Sequence, residues 1–347
     1  MELFGPLVDS GRSSLTSYGS QESLLSEDSN VFSDCYTDSE DEEDFEDLSL
    51  SRYQYVWDEW TIPASDIILH DQLVCNQPNE IVKSGYWHGS VWIYQSSLDN
   101  SDDIHSFVSE VKALCRIRHE NIQLFMGVCV DLPDKQVGIV MSDLKGIQLY
   151  THLHTLGHNF TTQSKFRILR QIAEGMEYLH AKGIPHGALS SKMITLHHRV
   201  CISLSLSKRS CRKLDYTDLV YLPHEEIRSV CYQSTRQMIL KTQPSFASDV
   251  FAYGTLTYEL VSLELPFKDV PLIDIIWCVG NGHHQQLTLL SKGRFRSVIT
   301  RCWNQHSIRR PTFKEVLTSI QDDVVLPLSY NSTSSYSVPS QLCTLGK

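Results

Sequence analysis

The chain has 347 residues, 41% apolar and 20% charged, a balance that fits a globular protein with a real core. Its net charge of −11 is lopsided: residues 1–59 hold 16 Asp/Glu against Arg12 and Arg52, while the rest of the chain holds 25 acids and 28 bases. The folded part is therefore near neutral and offers no basic stripe for nucleic acid. No apolar run reaches the ~18 residues of a transmembrane segment, and the ten cysteines include no C-x-x-C pair, which argues against zinc and thioredoxin-like chemistry.

Residues 1–56 read as a disordered, acidic, Ser-rich leader, because low hydrophobicity with high charge cannot offset the entropy of ordering. Thr37 and Ser39 have acids three residues downstream, the pattern of casein-kinase-2 sites. Asp9-Ser10-Gly11-Arg12-Ser13-Ser14 matches a D-S-G-x-x-S phosphodegron, with Ser10 and Ser14 as the phosphosites and a ubiquitin-ligase receptor as the implied partner. A globular domain is expected over 57–325 and a flexible Ser/Tyr-rich tail over 326–347. No targeting segment is evident and a cytoplasmic location is expected.

Within the domain, strand-like runs come first: Ile67–Leu69, Glu80–Lys83 and Trp87–Tyr94. Val74–Asn79 reads as the bend between the first two, without a glycine. A helix follows over about Asp102–Arg116, with Phe107, Val108, Val111 and Leu114 on one face. Val137–Met141 reads as a strand. Phe166, Leu169, Ile172, Ala173, Met176 and Leu179 repeat at helical spacing and predict a core helix. The loop Gly183–Ile194 then connects it to a strand at Val200–Ile202. Asp274–Gly280 reads as a helix with Ile275, Ile276 and Val279 inward and Trp277 exposed, and Thr312-Phe313-Lys314-Glu315 as a capping box. Cys115, Cys129 and Cys302 sit in apolar patterns as reduced core residues.

Several motifs carry a family resemblance. Arg118-His119-Glu120-Asn121 leading to Leu124-Phe125-Met126-Gly127, Asp58-Glu59-Trp60 with Ile62-Pro63, and Trp87-His88-Gly89 together resemble the Raf kinases and, more closely, the kinase suppressor of Ras (KSR) family. The resemblance implies an α+β, bilobal protein-kinase-like fold, with a β-rich small lobe and a mainly helical large lobe. It also sets this chain against the family's chemical signatures.

The family's V-A-I-K lysine is Tyr94, and the alanine beside the adenine ring is Trp92. The gatekeeper is Met141, and Glu110 takes the place of the glutamate that pairs with the lysine. In the catalytic loop His186 is kept, while Gly187, Ala188 and Met193 replace the arginine, the aspartate and the magnesium-binding asparagine. Leu204 and Ser205 stand where D-F-G begins. Structural positions persist: Asp249 would hold the loop backbone, and Glu225 and Arg310 would form a buried ion pair.

The reading implied is a pseudokinase with no cofactor, no magnesium site and an adenine pocket filled by Trp92. It would act as a scaffold or allosteric partner in Ras–Raf–MEK signalling. Arg118, Trp60 and His119 would form a side-to-side dimer face for a Raf-type kinase, and Trp277 a docking point for MEK. The alternatives are an atypical serine/threonine kinase with residual ATP binding, or a signal-regulated adaptor unrelated to MEK.

Overall fold

The computed structural model describes residues 59–321 apart from 78–79, 98–100, 133–135, 205–211, 215, 229, 233–237, 241–242 and 288–292. Ser10, Ser14, Thr37, Ser39, Ser205 and the tail from 326 lie outside the described residues.

The small lobe is an antiparallel sheet of β1 (Ile68–Gln77), β2 (Glu80–Tyr86), β3 (Ser90–Ser97), β4 (Phe125–Leu132) and β5 (Gln136–Ser142), in the order β1-β2-β3-β5-β4, with helix α1 (Ser101–Leu114) inserted between β3 and β4. The strand period of two divides β3 between two faces. Val91 and Ile93 join a cluster with Ile62, Ile67, Cys129 and Val140. Trp92 and Tyr94 join the main core, with Phe107, Val108, Val111 and Leu114 of α1.

Three sequence expectations shift here. The bend read at Val74–Asn79 does not begin at Val74, because β1 runs on to Gln77, which pairs with Glu80. Trp87–Gly89 leaves the strand and makes the turn between β2 and β3, with His88 at φ 51° and the Trp87 N–H donating to the Gly89 carbonyl at 2.9 Å. The helix stops at Leu114 rather than Arg116, where the N–H groups of Arg116 and Ile117 turn back to carbonyls only three residues behind.

The large lobe follows. β6 (Ile147–Gln148), β7 (Ile194–Leu196) and β8 (Val200–Ile202) form one small sheet. The expected core helix is α2 (Thr162–Ala181), capped by the Thr161 side chain accepting from the Ser164 N–H. A second small sheet joins β9 (Arg212–Leu214), β10 (Val230–Tyr232) and β11 (Met238–Leu240). The short helices α3 (Tyr216–Leu219) and α4 (His224–Ile227) lie between β9 and β10.

Helix α5 (Phe246–Ser262) is buried without a break from Ser248 to Leu260, as befits a helix enclosed on all sides. α6 (Leu272–Gly280), α7 (Arg294–Cys302) and α8 (Phe313–Gln321) complete the lobe. The expected capping box stands at α8: the Thr312 N–H donates to Glu315 Oε2 at 2.7 Å and the Glu315 N–H to Thr312 Oγ1 at 3.3 Å. Among the described residues no helix is long and apolar enough to cross a membrane.

Cys302 and Cys129 are core residues as expected, and burial pushes the Cys302 thiol up to about 12. Cys115 is a correction: it is only partly buried, at the end of α1.

Candidate functional site

The loop 183–194 is held from behind by one carboxylate. Asp249, 1% exposed on the first turn of α5, accepts from the His186 N–H and the Gly187 N–H, both at 2.8 Å, and faces His180 Nε2 at 2.9 Å. His186 is fixed at both ring nitrogens. Nδ1 accepts from the Ala188 N–H at 3.2 Å, so Nε2 carries the proton and donates to the Ser203 carbonyl at 2.9 Å. The Ser203 N–H in turn donates to the Met193 carbonyl at 2.9 Å. Loop and following strand are thus locked together, with Leu204 next in the chain.

Gly187 holds φ 73°, and a Cβ there would lie 2.5 Å from Pro244 Cβ. The sequence reading saw only a missing arginine at this position. The backbone requires glycine.

The positions expected to carry the chemistry hold apolar side chains. Ala188 is 6% and Leu204 7% exposed, and Met193 is half-buried. Tyr94 is buried, and its hydroxyl donates to Gln123 Oε1 at 3.3 Å, whose amide donates to the Ser142 carbonyl at 2.8 Å. Trp92 pairs across the sheet with Met141 and Ser84 and packs half-buried on the main core. Met141 is fully enclosed. Glu110 lies half-buried on α1.

Sequence reasoning missed a second polar centre. Glu259, fully buried in α5, meets Ser191 Oγ at 2.7 Å, the Tyr221 hydroxyl, and His154 Nε2 at 2.7 Å. It joins the loop, the segment before α4 and the π-helical turn Thr151–Thr155. Burial, then the charge of Glu259, pushes the Tyr221 phenol well above its usual range. The signal was present as a lone acid in the apolar run Leu256–Leu260.

The Glu225–Arg310 pair forms, with Nη1 at 2.6 Å and Nη2 at 3.0 Å from the carboxylate oxygens. It is buried only at the arginine end: the Glu225 side chain is 35% exposed and also meets His224 Nδ1 at 2.9 Å.

Two exposed surfaces carry the remaining expected residues. At the first, the segment Trp60–Ile62 runs beside β4, with the Ile62 N–H on the Val128 carbonyl and the Val128 N–H on that of Trp60. Gly127 is what permits this approach, since a Cβ there would stand 2.6 Å from the Trp60 carbonyl oxygen. Exposed Arg118 lies with its guanidinium carbon 5.1 Å from the Trp60 ring, and its Nη1 donates to the Ile117 carbonyl at 2.7 Å. His119 packs 5.0 Å from the Tyr178 ring, whose hydroxyl accepts from the Arg118 N–H at 2.9 Å. Trp60, Arg118 and His119 are therefore one surface.

Trp277 belongs to a different one, on α6. It is 65% exposed beside Ile273 at 64%, while Ile275 and Val279 face inward. Ile276, expected inward, is only half-buried. His197 and His198 are exposed in the turn between β7 and β8, and no group of three or more metal-ligating side chains occurs among the described residues.

The family model for protein tyrosine and serine/threonine kinases matches residues 88–320. Human "Kinase suppressor of Ras 2" is 31% identical over 309 residues, covering 81% of this chain and 32% of that protein. Human "Serine/threonine-protein kinase A-Raf" is 29% identical over 272 residues, covering 76% of this chain and 44% of that one. The chain thus spans from about a third to under half the length of these curated relatives.

Proposed function

The chain belongs to the protein tyrosine and serine/threonine kinase family, on its KSR/Raf-like side, and from that premise we propose that it is a pseudokinase, a scaffold and allosteric partner in Ras–Raf–MEK signalling with no phosphotransfer of its own. The observation that carries the reading is the contrast across one loop. Asp249 holds its backbone by accepting from two loop N–H groups, while Ala188, Met193 and Leu204 offer no side-chain oxygen where a base and magnesium ligands are needed. Magnesium–ATP does not fit the residues present. Tyr94 turns its hydroxyl to Gln123 and supplies no cation for phosphate, and Trp92 fills space against the core next to Met141 where an adenine would lie.

The surface around Arg118, Trp60 and His119 is the proposed dimer face for a Raf-type kinase, since a planar guanidinium can stack and bond carbonyls at once. Trp277 is the proposed anchor for MEK. Purified chain and a Raf-type kinase domain should associate, and Arg118→His should weaken that association at least about tenfold by sedimentation; an unchanged complex would sink the dimer reading. Melting temperature should not respond to ATP with or without magnesium, and a clear magnesium-dependent rise would overturn the loss of nucleotide binding.

A further inference from the structure

A hollow of about 330 Å3 lies between the end of α2, the first turns of α5 and the start of α8. It belongs neither to the cleft nor to either exposed surface. Its volume falls at the small end of small-molecule sites, which run from roughly 300 to 1,000 Å3. Ala181, Val250, Phe246 and Phe313 give it apolar walls. Phe246 leaves 45% of its surface in solvent.

The polar groups of the lining, Ser307 and Thr312 among them, differ in what they can still bind. Arg310 is committed to Glu225, to the Asn304 carbonyl at 2.9 Å and to the Ala247 carbonyl at 3.0 Å. Lys314, in the first turn of α8, is exposed, and its ammonium makes no hydrogen bond or ion pair among the described residues. Glu177, the acid of the lining, stands across from it on α2.

A further polar group is His180, whose ring stands 4.7 Å from Phe246 and 4.9 Å from Phe313 and whose Nε2 meets Asp249. The wall of the hollow is therefore one contact away from the carboxylate that holds His186 and Gly187.

We propose that this hollow binds a small amphiphile with one carboxylate head, the head at Lys314 and the chain against Phe246 and Phe313, and that occupancy stiffens the loop through His180 and Asp249. The proposal does not rest on the partner assignments above. Decanoate below its micellar concentration is the probe, with decanol and acetate as the chain and the head alone. Decanoate should raise the melting temperature saturably, by roughly 3 °C at ten times its half-saturating concentration. It should also slow deuterium exchange at the His186 and Gly187 amides.

Ala181→Trp, at an exposed position that folding tolerates, should fill the hollow and abolish both effects. Lys314→Glu should weaken decanoate at least about fivefold. A decanoate response unchanged in Ala181→Trp, equal effects of decanol and decanoate, or a melting shift without slowed exchange at those two amides would each overturn the proposal.

Discussion

The two sides of the loop 183–194 are built on opposite rules. Behind it, Asp249 and His186 form a polar frame that fixes the backbone at residues 186, 187, 188 and 203. In front, Ala188 and Leu204 present hydrocarbon, and the buried Tyr94 hydroxyl makes a long bond to a side-chain amide. On the proposed pseudokinase reading, the shape of a kinase is kept while its reacting groups are replaced, because the groups that hold the shape are not the groups that react.

This contrast is open to measurement. Asp249→Ala should cost about 3–5 kcal/mol by chemical denaturation, since it strands two backbone N–H groups and His180 in the interior; a loss under about 1 kcal/mol would mean the frame is not what holds the loop. Arg310→Ala should cost about 3 kcal/mol, at the low end for a broken buried pair, because Glu225 is partly hydrated. Gly127→Val should cost about 2 kcal/mol by overpacking. It should also change tryptophan emission, because the new side chain pushes directly on the Trp60 backbone. On the front side, Tyr94→Phe should cost no more than about 1 kcal/mol, the worth of one ordinary hydrogen bond. A Tyr94 loss as large as that of Asp249 would erase the distinction.

Much of this was legible in the sequence, and the exceptions have physical causes. The core helix α2, the capping box of α8 and the exposure of Trp277 follow from periodicity and from cap residues three apart, which are local signals. The motifs carrying the KSR/Raf resemblance proved to be physically coupled: Gly127 of one leaves room for the Trp60 backbone of another, across more than sixty residues. No single-sequence pattern reveals such a contact. The same holds for the Glu259 centre, assembled from four segments far apart in the chain. Gly187 misled for the opposite reason. Alignment to a motif recorded what was lost there, while the positive φ and the closeness of Pro244 give the glycine a role of its own. The turn at Trp87–Gly89 was missed because the run Trp87–Tyr94 was read as one strand, although Gly89 is a turn signal and His88 lies in the left-handed region.

The smallest expected effect on stability tests the proposed scaffold role, in which function lies on the protein's outside. Trp277 buries little of its own surface: it is 65% exposed, and its ring contact is with His283, 6.0 Å away. Ile275 and Val279 already supply the inward face of α6, so Trp277→Ala should change stability by less than about 0.5 kcal/mol. A large aromatic left in solvent beside exposed Ile273 has no folding role to explain it, and truncating an interface anchor of this kind removes about 2 kcal/mol or more of binding. Purified MEK should therefore lose roughly thirtyfold or more in affinity for Trp277→Ala by calorimetry, at an unchanged melting temperature. Equal affinity for both forms would detach α6 from MEK. A lower melting temperature would instead return Trp277 to the core.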